Sequence, residues 1–277
     1  MSFVSQSVGM EYIEPNTFMA IRTLMGGLVL LPVIFVLDKS KKKQGTYRPT
    51  NMKKLLKYGI ICGVFLCSAQ TLQTYGIQTT TTAKSGFLTA LYIIFVAIIG
   101  LFMGKKLTGK MVLGILTAVV GMYFLCLFGE KVSFNMGDGL TILCAVFFAG
   151  QILCIDKFVA DMDGLKLSCT QFFVAGTINA VLMFTVETPQ IGNILSCSTA
   201  LLYSGIMSCG VAYTLQVIGQ KYADPTSASI IMSLESVFAA ISGWIILSQS
   251  MSGVQIVGCA LMFLAIVLVQ LPQKNKA

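Results

Sequence analysis

Three charged side chains stand in or beside long apolar runs: Glu235, Arg22 and Lys84. Glu235, in IIMSLESVFAAIS, follows Thr226 by nine residues, about 13.5 Å along a helix rising 1.5 Å per residue. That depth is close to a bilayer midplane, where a carboxylate costs roughly 2.5–3.5 kcal/mol and marks a functional site by default. It is a candidate proton carrier; the alternative is a carboxyl kept protonated, or hydrogen-bonded to Ser or Thr, that fixes helix packing. Arg22 follows Thr17 by five residues. It can bind an anionic group, pair with Glu235, or stretch its long side chain to the membrane surface. Permanent pairing would favour the ionised carboxyl and so defeat proton carriage. Lys84 opens a helix whose N-terminal dipole its charge opposes, which sets a substrate or gate role against a solvated surface lysine.

Chemistry of other kinds is disfavoured. The chain has no histidine, which removes His-ligated metals, Ser-His-Asp triads and Cys-His pairs. It has no clustered intramembrane carboxylates and no G-x-x-x-x-G-K-[ST] loop, so neither an enzyme nor a self-contained ATP-driven pump is expected. No cofactor or metal is implied. The nine cysteines include no C-x-x-C pair and fall mostly in apolar runs, where a small polarisable side chain packs well. Among the uncharged polar residues, Gln73, Gln151, Gln216, Tyr92 and Tyr213 are candidates to line a cavity, whereas Asn179 is expected to bridge helices.

The elements that must position these groups are membrane helices. Of 277 residues, 56% are apolar and 11% charged, with a mean hydropathy of +0.83, far from the roughly 25% charge of soluble domains. Apolar stretches close to the 20 residues needed to cross a bilayer fall at about 17–37, 55–78, 84–103, 111–128, 138–156, 167–186, 199–220, 226–247 and 254–271. Backbone groups facing lipid must be satisfied within their own segment, so these are helices, and no soluble domain fits between them. The net charge of +8 does not point to nucleic acid. Its lysines and arginines crowd the break Asp38–Met52 and the short loop around Lys105 and Lys106, which the positive-inside rule reads as cytoplasmic, together with the C-terminus. The partners expected are a small-molecule substrate and the lipid bilayer, with a homodimer left open; the expected location is the cell membrane.

A repeat organises the helices. At a constant offset, Leu72, Gln73, Gly76, Leu91, Phe95, Ile98 and Gly100 meet Leu215, Gln216, Gly219, Leu234, Phe238, Ile241 and Gly243. Tyr92 falls opposite Glu235, and Arg22 opposite Gln171. Five helices per copy invert the second copy relative to the first, a signature of secondary transporters with a midplane site between copies. The expected organisation is a first repeat at 1–128, a second at 138–271 and a cytoplasmic tail at 272–277. Gln6 matches Gln151, yet fewer residues precede it, so the first helix is expected to be truncated. Gly59-x-x-x-Gly63 and Gly100-x-x-x-Gly104 are expected to allow close helix approach.

EYIEPNTFMAIRTLMGGLVLLP (Glu11–Pro32), the paired GFLTALYIIFVAIIG and IIMSLESVFAAISG, and ten helices in two halves resemble the EamA family of the drug/metabolite transporter superfamily. The resemblance covers the whole chain. It implies an all-α ten-helix inverted-repeat bundle that carries small metabolites, often amino acids or related compounds, through a central cavity by alternating access. Many such proteins have Glu-Pro where this chain has Glu235-Ser236, so the proline kink is expected to be lost. They also carry Gly-Glu pairs where this chain has Gly104-Lys105-Lys106 and Leu247-Ser248-Gln249. A non-transporting scaffold, a degenerate copy of a transporter, is the alternative.

Overall fold

The computed structural model describes residues 2–47, 49–129, 134–247 and 252–270, all helix and connecting turns. The expected tail 272–277 and the pair Ser248–Gln249 lie outside these residues. In chain order the helices are α1 (Ser2–Gly9), α2 (Pro15–Lys43), α3 (Met52–Ile77), α4 (Thr82–Ala90 and Tyr92–Phe102), α5 (Gly109–Cys126), α6 (Met136–Val159), α7 (Gly164–Val186), α8 (Ser198–Gln220), α9 (Pro225–Met232 and Leu234–Leu247) and α10 (Gly253–Gln270), with a short helix, Ile191–Ser196, leading into α8. Among the described residues, eight of these, all but α1 and α9, are long and apolar enough to cross a membrane. α2 runs on through DKSKKK past the expected end at residue 37, because lysine is a good helix former even where the sequence has ceased to suit lipid.

The main packed pairs are α2 on α7, α5 on α10, and α3 against both α6 and α7. The α2–α7 pair is pinned at both ends. At one end the Glu187 carboxylate, just past α7, accepts from the backbone N–H groups of Asn16 and Thr17 at 2.7 Å each, and from the side chains of both at 2.8 and 2.7 Å. These N–H groups belong to the first turn of α2, which has no partners of its own and draws a negative charge. At the other end, Lys166 pairs with Asp38 at 2.7 Å and Lys41 with Asp163 at 2.8 Å. With Arg22 placed opposite Gln171, Asp38 falls opposite Glu187. The two carboxylates therefore make equivalent reaches, each to the first turn of the other helix.

Small residues set the closest approaches. Gly59 and Gly63 of α3 face Thr170 and Val174 of α7, as their spacing leads one to expect. Gly121 and Gly258 bring α5 and α10 backbone to backbone: a Cβ on Gly258 would lie 2.7 Å from the Gly121 carbonyl oxygen. Gly104 serves differently from the expectation. Its φ of +82° closes α4, a conformation glycine adopts without steric cost, and it makes no helix contact.

Both α4 and α9 are interrupted near their centres, at Leu91 and Ser233. Each break is one tight turn: Ile94 donates to the Leu91 carbonyl at 2.9 Å and Ser236 to the Ser233 carbonyl at 3.2 Å, three residues back rather than four. The absence of a proline beside Glu235 does not leave α9 continuous. α9 breaks without proline, and the Ser233 hydroxyl donates to the Ile230 carbonyl at 2.6 Å in the preceding turn. The middle of α8, Tyr203–Tyr213, winds as a π-helix.

Candidate functional site

The two breaks and the π segment meet around a cavity of about 440 Å³. Its wall takes Arg22 from α2, Gln73 from α3, Thr89 and Tyr92 from either side of the α4 break, and Ser233 and Glu235 from either side of the α9 break. α8 adds Tyr203, Met207, Ser208, Ala212, Tyr213 and Gln216. Tyr203, Ser208, Ala212 and Gln216 follow one another at steps of four or five residues, wider than the 3.6 of an α-helix, so the wider winding helps keep one stripe of α8 on the cavity.

Glu235 stands in the first turn after the α9 break and is open to the cavity. Arg22 is 2% exposed. Its Nε donates to Cys209 Sγ at 3.4 Å, its terminal nitrogen lies 3.5 Å from Ser208 Oγ, and its guanidinium sits 5.9 Å from the Phe18 ring centre. These are weak partners for a buried cation. Arg22, Tyr213 and Glu235 line the same cavity. Among the described residues the ion pairs are Lys41–Asp163, Lys84–Asp138, Lys105–Asp156 and Lys166–Asp38, so Arg22 and Glu235 do not pair directly.

Six of the residues singled out in the sequence reach this cavity: Glu235, Arg22, Gln73, Gln216, Tyr92 and Tyr213. Two are placed elsewhere. Lys84 pairs with the buried Asp138 at 2.5 Å, joining α4 to α6; Asp138 also accepts from Thr80 and from the Asn135 backbone. Its charge at the α4 N-terminus is answered by that carboxylate. Gln151 is buried between α6 and α7, where its amide donates to Gln171 Oε1 at 3.3 Å. Asn179 accepts from Thr71 at 3.0 Å and bridges α7 to α3. The structure adds Gln6, whose amide donates to Thr74 at 2.5 Å, along with Ser208, Thr89 and Ser233. Only Gln6 had a sequence signal, its match to Gln151. The nine cysteines are free thiols; Cys209 does more than fill space, since it accepts from Arg22.

Comparison with known proteins follows the geometry. The EamA-like transporter family matches residues 1–127 and again 135–271. A protein of Archaeoglobus fulgidus named an uncharacterized transporter is 29% identical over 273 residues, 98% of this chain and 81% of that one. YetK of Bacillus subtilis, also named a transporter, is 27% identical over 87% of this chain and 73% of its own. The threonine/homoserine exporter RhtA of Salmonella typhimurium is 25% identical over 53% of this chain and 50% of its own. A known crystal structure superposes with a TM-score of 0.76, covering 98% of this chain and 94% of the other at 17% identity, which shows a shared fold.

Proposed function

Because this chain belongs to the EamA-like transporter family, we propose that it carries a small zwitterionic metabolite of the amino-acid kind by alternating access, with Glu235 taking up and releasing a proton. The observation that carries this reading is that Arg22 and Glu235 line one cavity and, among the described residues, form no ion pair with each other. A ligand bearing both charges answers both groups. Its carboxylate fits the guanidinium fork, which favours two parallel hydrogen bonds, and its ammonium fits the carboxylate. The volume lies within the about 300–1,000 Å³ of small-molecule sites. The name of RhtA, an exporter of two amino acids, supports the same substrate class.

Proton coupling follows from competition. A protonated Glu235 no longer attracts an ammonium group, so proton and substrate exchange at one carboxyl as the cavity opens to each side. Inverted repeats with helices broken at the midplane supply the means of opening in turn. In this proposal the basic loop between α2 and α3 faces the cytoplasm.

The test uses purified protein in liposomes, labelled L-threonine and an imposed pH gradient. Wild-type protein accumulates label with the gradient, while Glu235→Gln loses the gradient response and keeps or loses exchange at equal pH. Unchanged pH dependence in Glu235→Gln sinks the coupling role. No uptake of L-threonine or of any neutral amino acid sinks the substrate class.

A further inference from the structure

Gln73 and Gln216 hold equivalent positions in the two repeats, and both line the cavity. Their repeat-related neighbours differ. Gln73 donates its amide to the Thr89 hydroxyl at 3.1 Å, tying α3 to the first segment of α4 within the first repeat. The equivalent of Thr89 is Met232, which also lines the cavity and ends the first segment of α9. Residues Thr214–Gln220 pack against Pro225–Met232 much as α3 packs against Thr82–Ala90, but Met232 offers no hydroxyl. The Gln216 side-chain nitrogen is buried and has no hydrogen-bond partner among the described residues.

We infer that Gln216 is the amide that reads the substrate, donating to one of its acceptor oxygens, while its twin Gln73 holds α3 to α4 and does not discriminate between ligands. This rests on the zwitterion reading above and adds to it a specificity-determining residue that is not equivalent by symmetry. The physical reason is the cost of an unmade hydrogen bond. A buried donor left without an acceptor destabilises the empty protein, and that cost is recovered only when a ligand supplies the oxygen. Thr89 recovers it permanently in one repeat; Met232 leaves it to the ligand in the other. An analogue lacking an acceptor at that point leaves the amide unpaired and is rejected, which is how buried polar groups discriminate most strongly.

Two measurements on full-length purified protein test this. The first needs no ligand: thermal unfolding of Gln73→Leu and Gln216→Leu. Gln73→Leu is expected to lower the midpoint, because Thr89 loses its donor, whereas Gln216→Leu leaves it equal or raises it. A fall for Gln216→Leu matching that for Gln73→Leu overturns the assignment.

The second measures equilibrium binding of L-threonine and L-homoserine. Gln216→Leu is expected to weaken binding roughly tenfold to a hundredfold, as for a lost hydrogen bond to a charged group. Met232→Thr, which gives Gln216 the hydroxyl that Gln73 has, is expected to weaken binding several-fold, and the double variant binds no more weakly than Gln216→Leu alone. Wild-type affinity in Gln216→Leu overturns the inference. If wild-type protein binds neither probe, the zwitterion reading is what fails. The ligand-free comparison then decides whether Gln216 holds a spare donor.

Discussion

Replacing Glu187 with alanine removes the acceptor for four donors in the first turn of α2. Two are backbone N–H groups, those of Asn16 and Thr17, and both sit where a helix provides no internal partner. Glu187 is 8% exposed, so water does not readily take over its role. Loss of a cap costs about 1 kcal/mol, and each buried donor left unpaired adds about 1 kcal/mol or more. Relief of the cost of burying the carboxylate offsets part of this. The balance is about 3 kcal/mol, and at about 2–4 °C per kcal/mol for a chain of this size the unfolding midpoint falls by roughly 6–12 °C. Glu187→Gln separates the charge from the shape. Its amide keeps one acceptor oxygen but turns an NH₂ group toward one of the two donor pairs, so about half the loss is expected. The assay is thermal unfolding of detergent-purified protein followed by fluorescence. A shift under about 2 °C for the alanine variant, or equal loss in both variants, refutes the capping argument.

Other outcomes follow from the same contacts. Lys84→Met strands the buried Asp138 carboxylate and is expected to lower stability by about 3 kcal/mol. The same variant should leave substrate affinity within twofold of wild type, and a binding defect without a stability loss would return Lys84 to the transport site. Gly258→Val pushes a branched side chain against the Gly121 carbonyl and should separate α5 from α10, seen as loss of folded protein on size-exclusion chromatography; full retention would show that the contact yields. Burial pushes the Asp163 carboxyl up, but the hydrogen bond and charge of Lys41, the Leu165 N–H and Lys166 together hold it below its ordinary value. Its folded value lying below its unfolded one, the group stabilises above about pH 4 and loses that contribution as pH falls through the folded value. Asp163→Asn keeps the cap on Leu165 and loses the ion pair. It should be less stable than wild type by under about 1 kcal/mol near pH 7, the gap closing in strong acid; a gap independent of pH would contradict this.

The spans were legible because hydrocarbon thickness dictates their length: the expected 138–156 is realised as Met136–Val159 and 84–103 as two segments within Thr82–Phe102. Glu235 and Arg22 stood out because a charge in an apolar run has few structural excuses. What stayed hidden depends on contacts far apart in sequence. Nothing local to Lys84 names Asp138, and nothing local to Glu187 names Asn16. Gln151 and Gln216 look alike in composition and in context, and only the packing of neighbours turns one toward Gln171 and the other toward the cavity. The winding of Tyr203–Tyr213 left no trace beyond Gly205 and Gly210, and the α9 break occurred without the proline that would have announced it.

The twofold reach of Asp38 and Glu187 has a mechanical consequence. In a carrier whose two halves trade shapes, an object lying on the exchange axis looks the same before and after the stroke. Under the alternating access proposed above, the α2–α7 strut, fastened alike at each end, is expected to be such an object, a spindle about which other helices turn. A cross-link along its length should leave the stroke intact, whereas one joining α4 to α9 should stop it.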